Sequence, residues 1–285
     1  MKKFLFVIAS LICLSACNQP AENKVFARFV PERYDDFVFE NNLISGRIYG
    51  EALESCGKGQ ITSPGVDVWV KVPGALVADQ RYKDELENGK SYHINWGNGK
   101  DCYKVAVSLG AGASSPLIDG QIIYPATNYR SYEILTQTPE EIAFVLHYPA
   151  WDVDGHQVSL DRKITVTAGS YFCLSEDTYS GDFEALTIAA GIFTHDVEES
   201  CIENDRFAIW EHASDTSAEP EDGMIGVGIV FPEDTQIVTI EANRPHLVGI
   251  RNIKPGETVA YRFGSCWTKG DIKTASDWFD MVRAQ

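Results

Sequence analysis

The sequence predicts an all-β protein, a large antiparallel β-sandwich with few short helices. Apolar and polar residues alternate with a period of two along several runs, for example 66–71, 131–136 and 142–148, as is typical of strands. Turn residues separate nearly all of these runs, as at 138–140 and 254–256. Long helical periodicity is scarce. Regular strands joined by short turns favour a sandwich.

The predicted elements follow in chain order. The segments 37–40 and 43–49 flank the turn Asn41-Asn42 and predict a hairpin. Two helices are predicted, over 80–88 and 274–283, and the second begins at a Thr/Ser cap. Because the chain has no internal repeat and no low-complexity linker, we expect a single domain. The remaining strands are predicted over 66–71, 131–136, 142–148, 158–167, 171–179, 185–195, 206–210, 225–231, 235–242, 246–250 and 258–263.

The N-terminus predicts export. Two lysines precede an apolar run over 4–14, which is too short to span a bilayer stably. The next residues, Leu14-Ser15-Ala16-Cys17, resemble the lipobox of bacterial lipoproteins, in which cleavage exposes a cysteine that carries lipid. Several acyl chains form a firm anchor. Ordinary secretion with cleavage after Ala16 is the alternative.

These signals divide the chain into a signal peptide over 1–16, a polar tether over 17–27 lipidated at Cys17, and one catalytic β-sandwich domain over 28–285. The expected location is the periplasm or the outer membrane, with membrane contact through the lipid anchor only. Without Lys2 and Lys3, 22 of the 24 basic residues remain against 41 acidic ones, a net charge of −19. Because nucleic acid binding requires a basic face, this charge argues against a nucleic acid partner.

The cysteines indicate buried or bridged thiols rather than reactive ones. Five follow Cys17, so at most two disulfides form; a pair such as Cys173 with Cys201 is open, but the sequence does not assign connectivity. No spacing typical of zinc sites is present. No cofactor and no metal site is predicted, and a divalent metal stays open. These five are Cys56, Cys102, Cys173, Cys201 and Cys266.

Several motifs resemble a known family. The strongest are Tyr92-His93, then Gly97-x-Gly99-x-Asp101-Cys102-Tyr103, then Leu109-Gly110-Ala111-Gly112; others lie over 47–53, 65–68 and 264–272. On these motifs the chain resembles an uncharacterised exported family of polysaccharide-utilisation loci with a galactose-mutarotase-like supersandwich fold. The family usually has His at the position of Trp96 and Trp at that of Phe39, so neither residue is expected to be essential to a shared reaction.

Some of these relatives resemble ulvan-type oligosaccharide dehydratases. The resemblance implies a carbon–oxygen lyase of polysaccharide degradation, which removes water from the non-reducing-end uronic acid of an acidic oligosaccharide and leaves an unsaturated uronyl residue. A non-catalytic glycan-binding lipoprotein and a sugar epimerase are the alternatives.

Elimination from a uronic acid needs three groups. A cation or donors must neutralise the carboxylate, a base must remove the proton on the neighbouring carbon, and an acid must protonate the departing hydroxyl. Arginine binds carboxylates through two parallel hydrogen bonds. Histidine and tyrosine suit the proton transfers, and a tryptophan face stacks on a sugar ring.

The candidate residues follow from these needs. Each also has a structural alternative: a loop histidine, a strand aromatic, an arginine paired with a buried acid such as Asp101, or a tryptophan that closes the sandwich. The catalytic candidates are His93, Tyr103 and His195. The substrate-binding candidates are Arg47, Arg162, His246, Trp267 and Lys269.

Overall fold

The computed structural model describes residues 23–57, 59–241 and 244–285. Two α-helices lie in these ranges, α1 (Ala78–Asn88) and α2 (Ala275–Arg283). The strands are β1 (Val25–Val30), β2 (Asp36–Asn41), β3 (Ser45–Ile48), β4 (Asp67–Lys71), β5 (Gly99–Asp101), β6 (Ala113–Ile118), β7 (Gln121–Ile122), β8 (Ser131–Gln137), β9 (Glu141–Val153), β10 (His156–Thr167), β11 (Phe172–Gly181), β12 (Leu186–Phe193), β13 (Val197–Ile202), β14 (Arg206–His212), β15 (Met224–Val230), β16 (Gln236–Ile240), β17 (His246–Ile253) and β18 (Thr258–Trp267).

The strands form three antiparallel sheets. The largest has eight strands in the order β13-β14-β15-β18-β11-β10-β9-β8, and the others have five strands each, β1-β2-β3-β4-β5 and β16-β17-β12-β6-β7. Neighbouring strands pair antiparallel throughout these sheets. The prediction of an all-β protein with a large antiparallel sandwich and few short helices is therefore confirmed.

Both smaller sheets pack on the large one. The rings of Phe37 on β2 and Phe144 on β9 lie 4.4 Å apart between centroids. On the other small sheet, the carbonyl of Ser114 on β6 accepts a hydrogen bond from Arg162 on β10 at 3.1 Å. Most buried apolar side chains of all three sheets belong to one continuous core. The three inner strands of the first small sheet, β2, β3 and β4, are buried along their whole length, so even their polar residues must find partners inside the protein.

Both predicted helices are confirmed, with bounds shifted by one or two residues. The backbone amides of Val77 and Ala78 at the start of α1 donate to the carboxylate of Glu40 on β2 at 2.8–2.9 Å. The helix ends at Gly89, whose φ of 63° suits glycine. Thr274 caps α2 by accepting from the Asp277 amide at 3.2 Å, as predicted.

The first strand begins earlier in the chain than predicted. β1 begins at Val25, inside the segment predicted as a tether, because Val25 and Ala27 are buried in the core. The predicted signal peptide and Cys17 lie outside the described residues. No helix in the described part of the chain is long and apolar enough to cross a membrane.

Cys173 and Cys201, both within the described ranges, are free thiols and form no disulfide with each other. The disulfide left open by the sequence is therefore not formed. Burial raises the pKa of the Cys102 and Cys173 thiols, so these groups stay protonated and unreactive. The interpretation of buried, unreactive cysteines holds at these two positions.

Candidate active site

The candidate site is built around the loop that joins α1 to β5. Asn95 holds this loop, because its side-chain oxygen accepts the backbone amides of Gly97 at 2.9 Å and Gly99 at 3.2 Å. Gly99 has a φ of +112°, and a Cβ there would lie 2.1 Å from the Val70 carbonyl oxygen. Only glycine fits this close approach. The loop then enters β5, whose Asp101 pairs with Trp69 on β4.

His93 projects from this loop with one ring nitrogen turned inward. Its Nδ1 lies 3.3 Å from the Asp101 carbonyl oxygen, 3.6 Å from Asp101 Oδ2 and 4.0 Å from Asp215 Oδ1. These oxygens accept hydrogen bonds, so Nδ1 carries the proton of the neutral ring. Within the described ranges, Nε2 makes no hydrogen bond to the protein. Since the side chain is 34% exposed, Nε2 is the atom that can exchange a proton with a bound molecule.

A second wall of the site comes from the loop after β14. The backbone amides of Ser214 and Asp215 both donate to the Cys102 carbonyl, at 3.1 and 3.2 Å. Further along, Asp222 accepts from the buried Lys100 ammonium at 2.7 Å. These contacts fasten the loop to β5 and its continuation, which places the Asp215 carboxylate beside His93.

A buried ionic cluster lies behind His93 and is centred on Arg47. The guanidinium of Arg47 donates to Asp67 and to Asp101 at 2.8 Å each, and reaches Asp36 at 3.5 Å. It also donates to the Tyr92 hydroxyl at 3.2 Å. Arg47 was predicted to bind substrate, but the structure buries it among these carboxylates. Its donors are already used, so it supports the site from behind.

Carboxylates outnumber guanidinium groups in this cluster. Arg33 adds a second positive charge, 3.4 Å from Asp36, against the three acids Asp36, Asp67 and Asp101. Burial raises the pKa of the Asp101 carboxyl well above its usual range, and Asp67 adds to the rise while Arg47 opposes it. Burial likewise raises the pKa of Asp36 to about 6. Burial in a cluster with more acids than guanidinium groups therefore favours the protonated form of these carboxyl groups.

His195 contacts the segment 101–104 at the end opposite to His93: His93 contacts Asp101, whereas His195 contacts Lys104. Its Nδ1 contacts Glu211 Oε1 at 2.6 Å, and its Nε2 contacts the Lys104 carbonyl oxygen at 2.8 Å. Both ring nitrogens are therefore engaged with the protein. Three peptide units separate Asp101 from Lys104, which puts their carbonyl oxygens at most about 11 Å apart. The two histidines therefore flank one short segment, but only His93 keeps a nitrogen available.

Tyr103 lies between these histidines and is buried. Its hydroxyl donates to the Phe193 carbonyl at 2.6 Å and contacts the Gly110 carbonyl at 3.2 Å. Burial raises the pKa of the Tyr103 phenol well above its usual range. The predicted catalytic role is therefore replaced by a structural one, because the phenol can neither reach a bound molecule nor ionise readily.

Arg162 lies in the core between β10 and β6. Its side chain is 0% exposed and pairs with Asp177 at 3.1 Å. It also donates to the carbonyls of Pro64 at 2.7 Å and Ser114 at 3.1 Å. The alternative of an arginine paired with a buried acid holds, with Asp177 rather than Asp101 as the acid. The guanidinium is fully buried and engaged, so it is not available to a substrate.

His246 is also fully buried. Its Nδ1 faces the Arg244 carbonyl at 2.9 Å, and its Nε2 accepts from the Leu109 amide at 3.2 Å. Burial lowers the pKa of His246 to about 4, so the ring is neutral. Its predicted role in substrate binding is replaced by fixing the turn at Leu109.

Trp267 closes the sandwich and is 2% exposed, so it offers no platform to a sugar. Its Nε1 donates to the Asp222 carbonyl at 2.6 Å. Lys269 remains partly exposed, with its ammonium 5.5 Å from the Trp267 ring centroid and 3.8 Å from Asp222 Oδ1. Together they anchor the loop that carries Asp215.

Three acidic residues of the site were not predicted as site residues: Asp101, Asp215 and Glu211. Asp101 had a local signal, since it follows His93 within the Gly-rich motif. Asp215 and Glu211 had none, because only the packing of the β14 end against β5 brings them to the histidines. Among the residues that the structure describes, no group of three or more His, Cys, Asp or Glu side chains is arranged to hold a metal ion.

Fold and site together define an all-β sandwich protein with a half-exposed histidine backed by buried carboxylates. The chain belongs to the DUF4861 family, described as a domain of unknown function, which matches residues 13–285. It is 29% identical over 271 residues to the uncharacterized protein P7 of Formosa agariphila. The match covers 90% of this chain and 66% of that protein, so the chain spans just under two thirds of its relative.

Solved structures give weaker matches. An α-galactosidase of Geobacillus stearothermophilus, family GH36, aligns with 86% of this chain and 41% of its own, at 11% identity and a TM-score of 0.33. A galactose mutarotase related enzyme of Lactobacillus acidophilus aligns with 81% of this chain and 97% of its own, at 11% identity and a TM-score of 0.29. Likeness at this level does not define a shared activity.

Proposed function

We propose that this protein is a carbohydrate-active lyase that removes water from the non-reducing-end uronic acid of an acidic oligosaccharide, with His93 as the proton-transferring residue. The observation that carries the proposal is the state of the two His93 ring nitrogens. Nδ1 is held at Asp101, whereas Nε2 makes no hydrogen bond to the residues that the structure describes, on a side chain that is 34% exposed. A ring held in this way has a defined tautomer and one reactive nitrogen.

The reaction needs one proton to leave carbon and one to reach oxygen. In the proposed step, His93 Nε2 removes the proton on the carbon beside the carboxylate, and that C–H electron pair forms the new double bond. The C–O bond on the neighbouring ring carbon breaks, and its hydroxyl takes the proton back from the imidazolium and leaves as water. The Asp101 carbonyl oxygen, 3.3 Å from Nδ1, accepts from the ring and stabilises its transient positive charge. The sugar therefore loses one water, and His93 returns to its starting state.

A cation near His93 must stabilise charge on the uronic carboxylate. Arg47 and Arg162 are buried and fully engaged, so neither is available. Lys104 is exposed, and its backbone amide donates to Ser214 Oγ at 3.0 Å. This contact holds the lysine on the segment between His93 and His195, and we assign its ammonium the role of the carboxylate partner.

The test is to incubate the full-length protein with saturated uronyl oligosaccharides, ulvan fragments included. Elimination gives a conjugated double bond that absorbs in the ultraviolet, and mass spectrometry shows the loss of one water. His93→Ala should abolish both signals. His147→Ala is the matched control, because His147 also pairs with an aspartate, Asp161, at 2.7 Å but on an exposed surface.

The same experiment separates the two alternatives. An epimerase would incorporate solvent deuterium at the ring carbon without losing water. A glycan-binding protein would bind the saccharide and leave its mass unchanged. Either result with a broad panel of substrates would reject the dehydratase proposal.

The proposed location is the periplasm or the outer membrane, through a lipid anchor at Cys17. The support is the lipobox-like run that ends in this cysteine. Growth of an expressing bacterium with labelled palmitate should label the wild-type protein and leave Cys17→Ser unlabelled. A labelled Cys17→Ser variant, or an unlabelled wild type, would contradict the assignment.

A further inference from the structure

Trp96 differs from the other tryptophans of the chain. It is 55% exposed, whereas the remaining five are 0–5% exposed. It lies three residues after His93 on the same loop. The five buried residues are Trp69, Trp151, Trp210, Trp267 and Trp278.

The exposed ring is held in place. Its Nε1 donates to the Ser91 carbonyl at 2.9 Å, and the preceding Asn95 accepts the amides of Gly97 and Gly99. The Lys90 ammonium lies 5.7 Å from the ring centroid. Single exposed apolar residues are common on protein surfaces, but a large ring fixed by its own hydrogen bond and paired with a cation loses little further freedom when a ligand binds.

We infer that Trp96 and Lys90 form a second saccharide subsite beside His93, in which the indole stacks on a sugar ring and the ammonium pairs with a carboxylate. A flat apolar ring next to a positive charge matches the chemistry of a uronic acid residue, which has an apolar C–H face and one acidic group. The subsite would hold a sugar unit other than the one that reacts at His93. The inference rests on the proposed function for its substrate class.

The binding test uses tryptophan fluorescence, because Trp96 is the exposed tryptophan that a soluble quencher reaches. The full-length protein is titrated with uronic-acid-containing di-, tetra- and hexasaccharides, and acrylamide quenching is followed. We expect the tetra- and hexasaccharides to protect the emission from quenching. Trp96→Ala should remove this signal and weaken their binding, measured by calorimetry, by about three- to tenfold.

Three variants define the origin of the effect. Trp96→Phe keeps an aromatic face and should restore most of the affinity. Lys90→Gln should weaken binding of the acidic saccharides but not of their carboxyl-reduced forms. Ile202→Ala removes an exposed apolar side chain on β13 and should leave binding unchanged.

The outcomes for this subsite and for the proposed reaction are separable. Protection of Trp96 without loss of water from the saccharide would support the subsite and reject the dehydratase. Elimination with the same KM and kcat in the wild type and in Trp96→Ala, for every chain length, would overturn the subsite and leave the dehydratase. Unchanged quenching with all saccharides would also overturn the subsite.

Discussion

The Nδ1 atom of His93 lies 3.6 Å from the Oδ2 atom of Asp101, and this pair joins the protein surface to its interior. His93 is half-exposed, whereas Asp101 is buried and accepts from Arg47 at 2.8 Å. The contact with Asp101 fixes the orientation of the ring. Because Asp101 belongs to a strand, the arrangement is built into the sheet.

Arg47 is expected to be a stabilising residue. Arg47→Met leaves three buried carboxylates without their main partner, which typically costs about 3–5 kcal/mol of the free energy of unfolding. Urea denaturation measures this change. Lys163→Met is the control, because Lys163 pairs with Glu176 on the surface and should cost less than about 1 kcal/mol. Equal losses for the two substitutions would contradict the stabilising role of Arg47 in the buried ionic cluster.

Arg162 and Asp177 should behave as a coupled pair in the core. Arg162→Met removes the cation and leaves a buried carboxylate, so we expect a loss of about 3–5 kcal/mol. Adding Asp177→Asn to this variant removes the unpaired carboxylate charge and should recover part of the lost free energy of unfolding. A double-mutant cycle by urea denaturation should give a coupling of about 0.5–3 kcal/mol. Additive losses would contradict the coupling between Arg162 and Asp177. A raised KM in the folded Arg162→Met variant would restore a role for Arg162 in substrate binding.

Tyr103→Phe separates structure from catalysis at that position. The substitution removes the hydroxyl that donates to the Phe193 carbonyl and leaves this oxygen unsatisfied, at a cost of about 1–3 kcal/mol. The value of kcat should stay within about threefold of the wild type. A catalytic acid would lose about 10²-fold or more, and such a loss in the folded variant would return Tyr103 to the mechanism.

Asp36 should make stability depend on pH. Its pKa is about 6 in the folded protein against 3.8 for the isolated group, so the folded state holds its proton to higher pH. Its contribution is full below pH 3.8 and is lost as the pH rises through 6, which amounts to about 3 kcal/mol.

The difference in free energy of unfolding between wild type and Asp36→Asn should therefore fall between pH 4 and 6.5 and be flat on either side. Subtraction also removes the opposite contribution of His246, whose lowered pKa makes the protein less stable as the pH falls. A difference that rises with pH would mean that Asp36 is ionised by its partners Arg33 and Arg47.

Much of the fold was predictable because its signals are local. The hairpin of β2 and β3, the long strands β9 to β11 and both helices carry clear periodicity or caps. β6 and β13 were missed for physical reasons. β6 begins Ala-Ser-Ser-Pro and has a β-branched residue only at its last position, Ile118, so its sequence gives a weak strand signal. It is held in the fold by pairing with β12. β13 is mostly exposed, so its sequence lacks the alternation of apolar and polar residues that predicts a strand.

The site was only partly predictable. His93 could be proposed from the sequence because its loop combines glycines with titratable and aromatic residues. The roles of Arg47 and Arg162 were predicted wrongly because alternation with a period of two shows that a strand has two faces. It does not show whether both faces are buried. All four residues of β3 are buried, so Arg47 faces acids from β2, β4 and β5. Asp215 reaches His93 through packing between distant segments, which no local pattern encodes.

The most direct test of the central claim is a comparison of the wild type with His93→Ala on a saturated uronyl tetrasaccharide, followed by ultraviolet absorbance and mass spectrometry. We expect the wild type to form an unsaturated product that has lost one water. We expect kcat of the variant to fall by about 10²–10⁴-fold, with a free energy of unfolding close to that of the wild type. Product formed at equal rates by both proteins would contradict the assignment of His93.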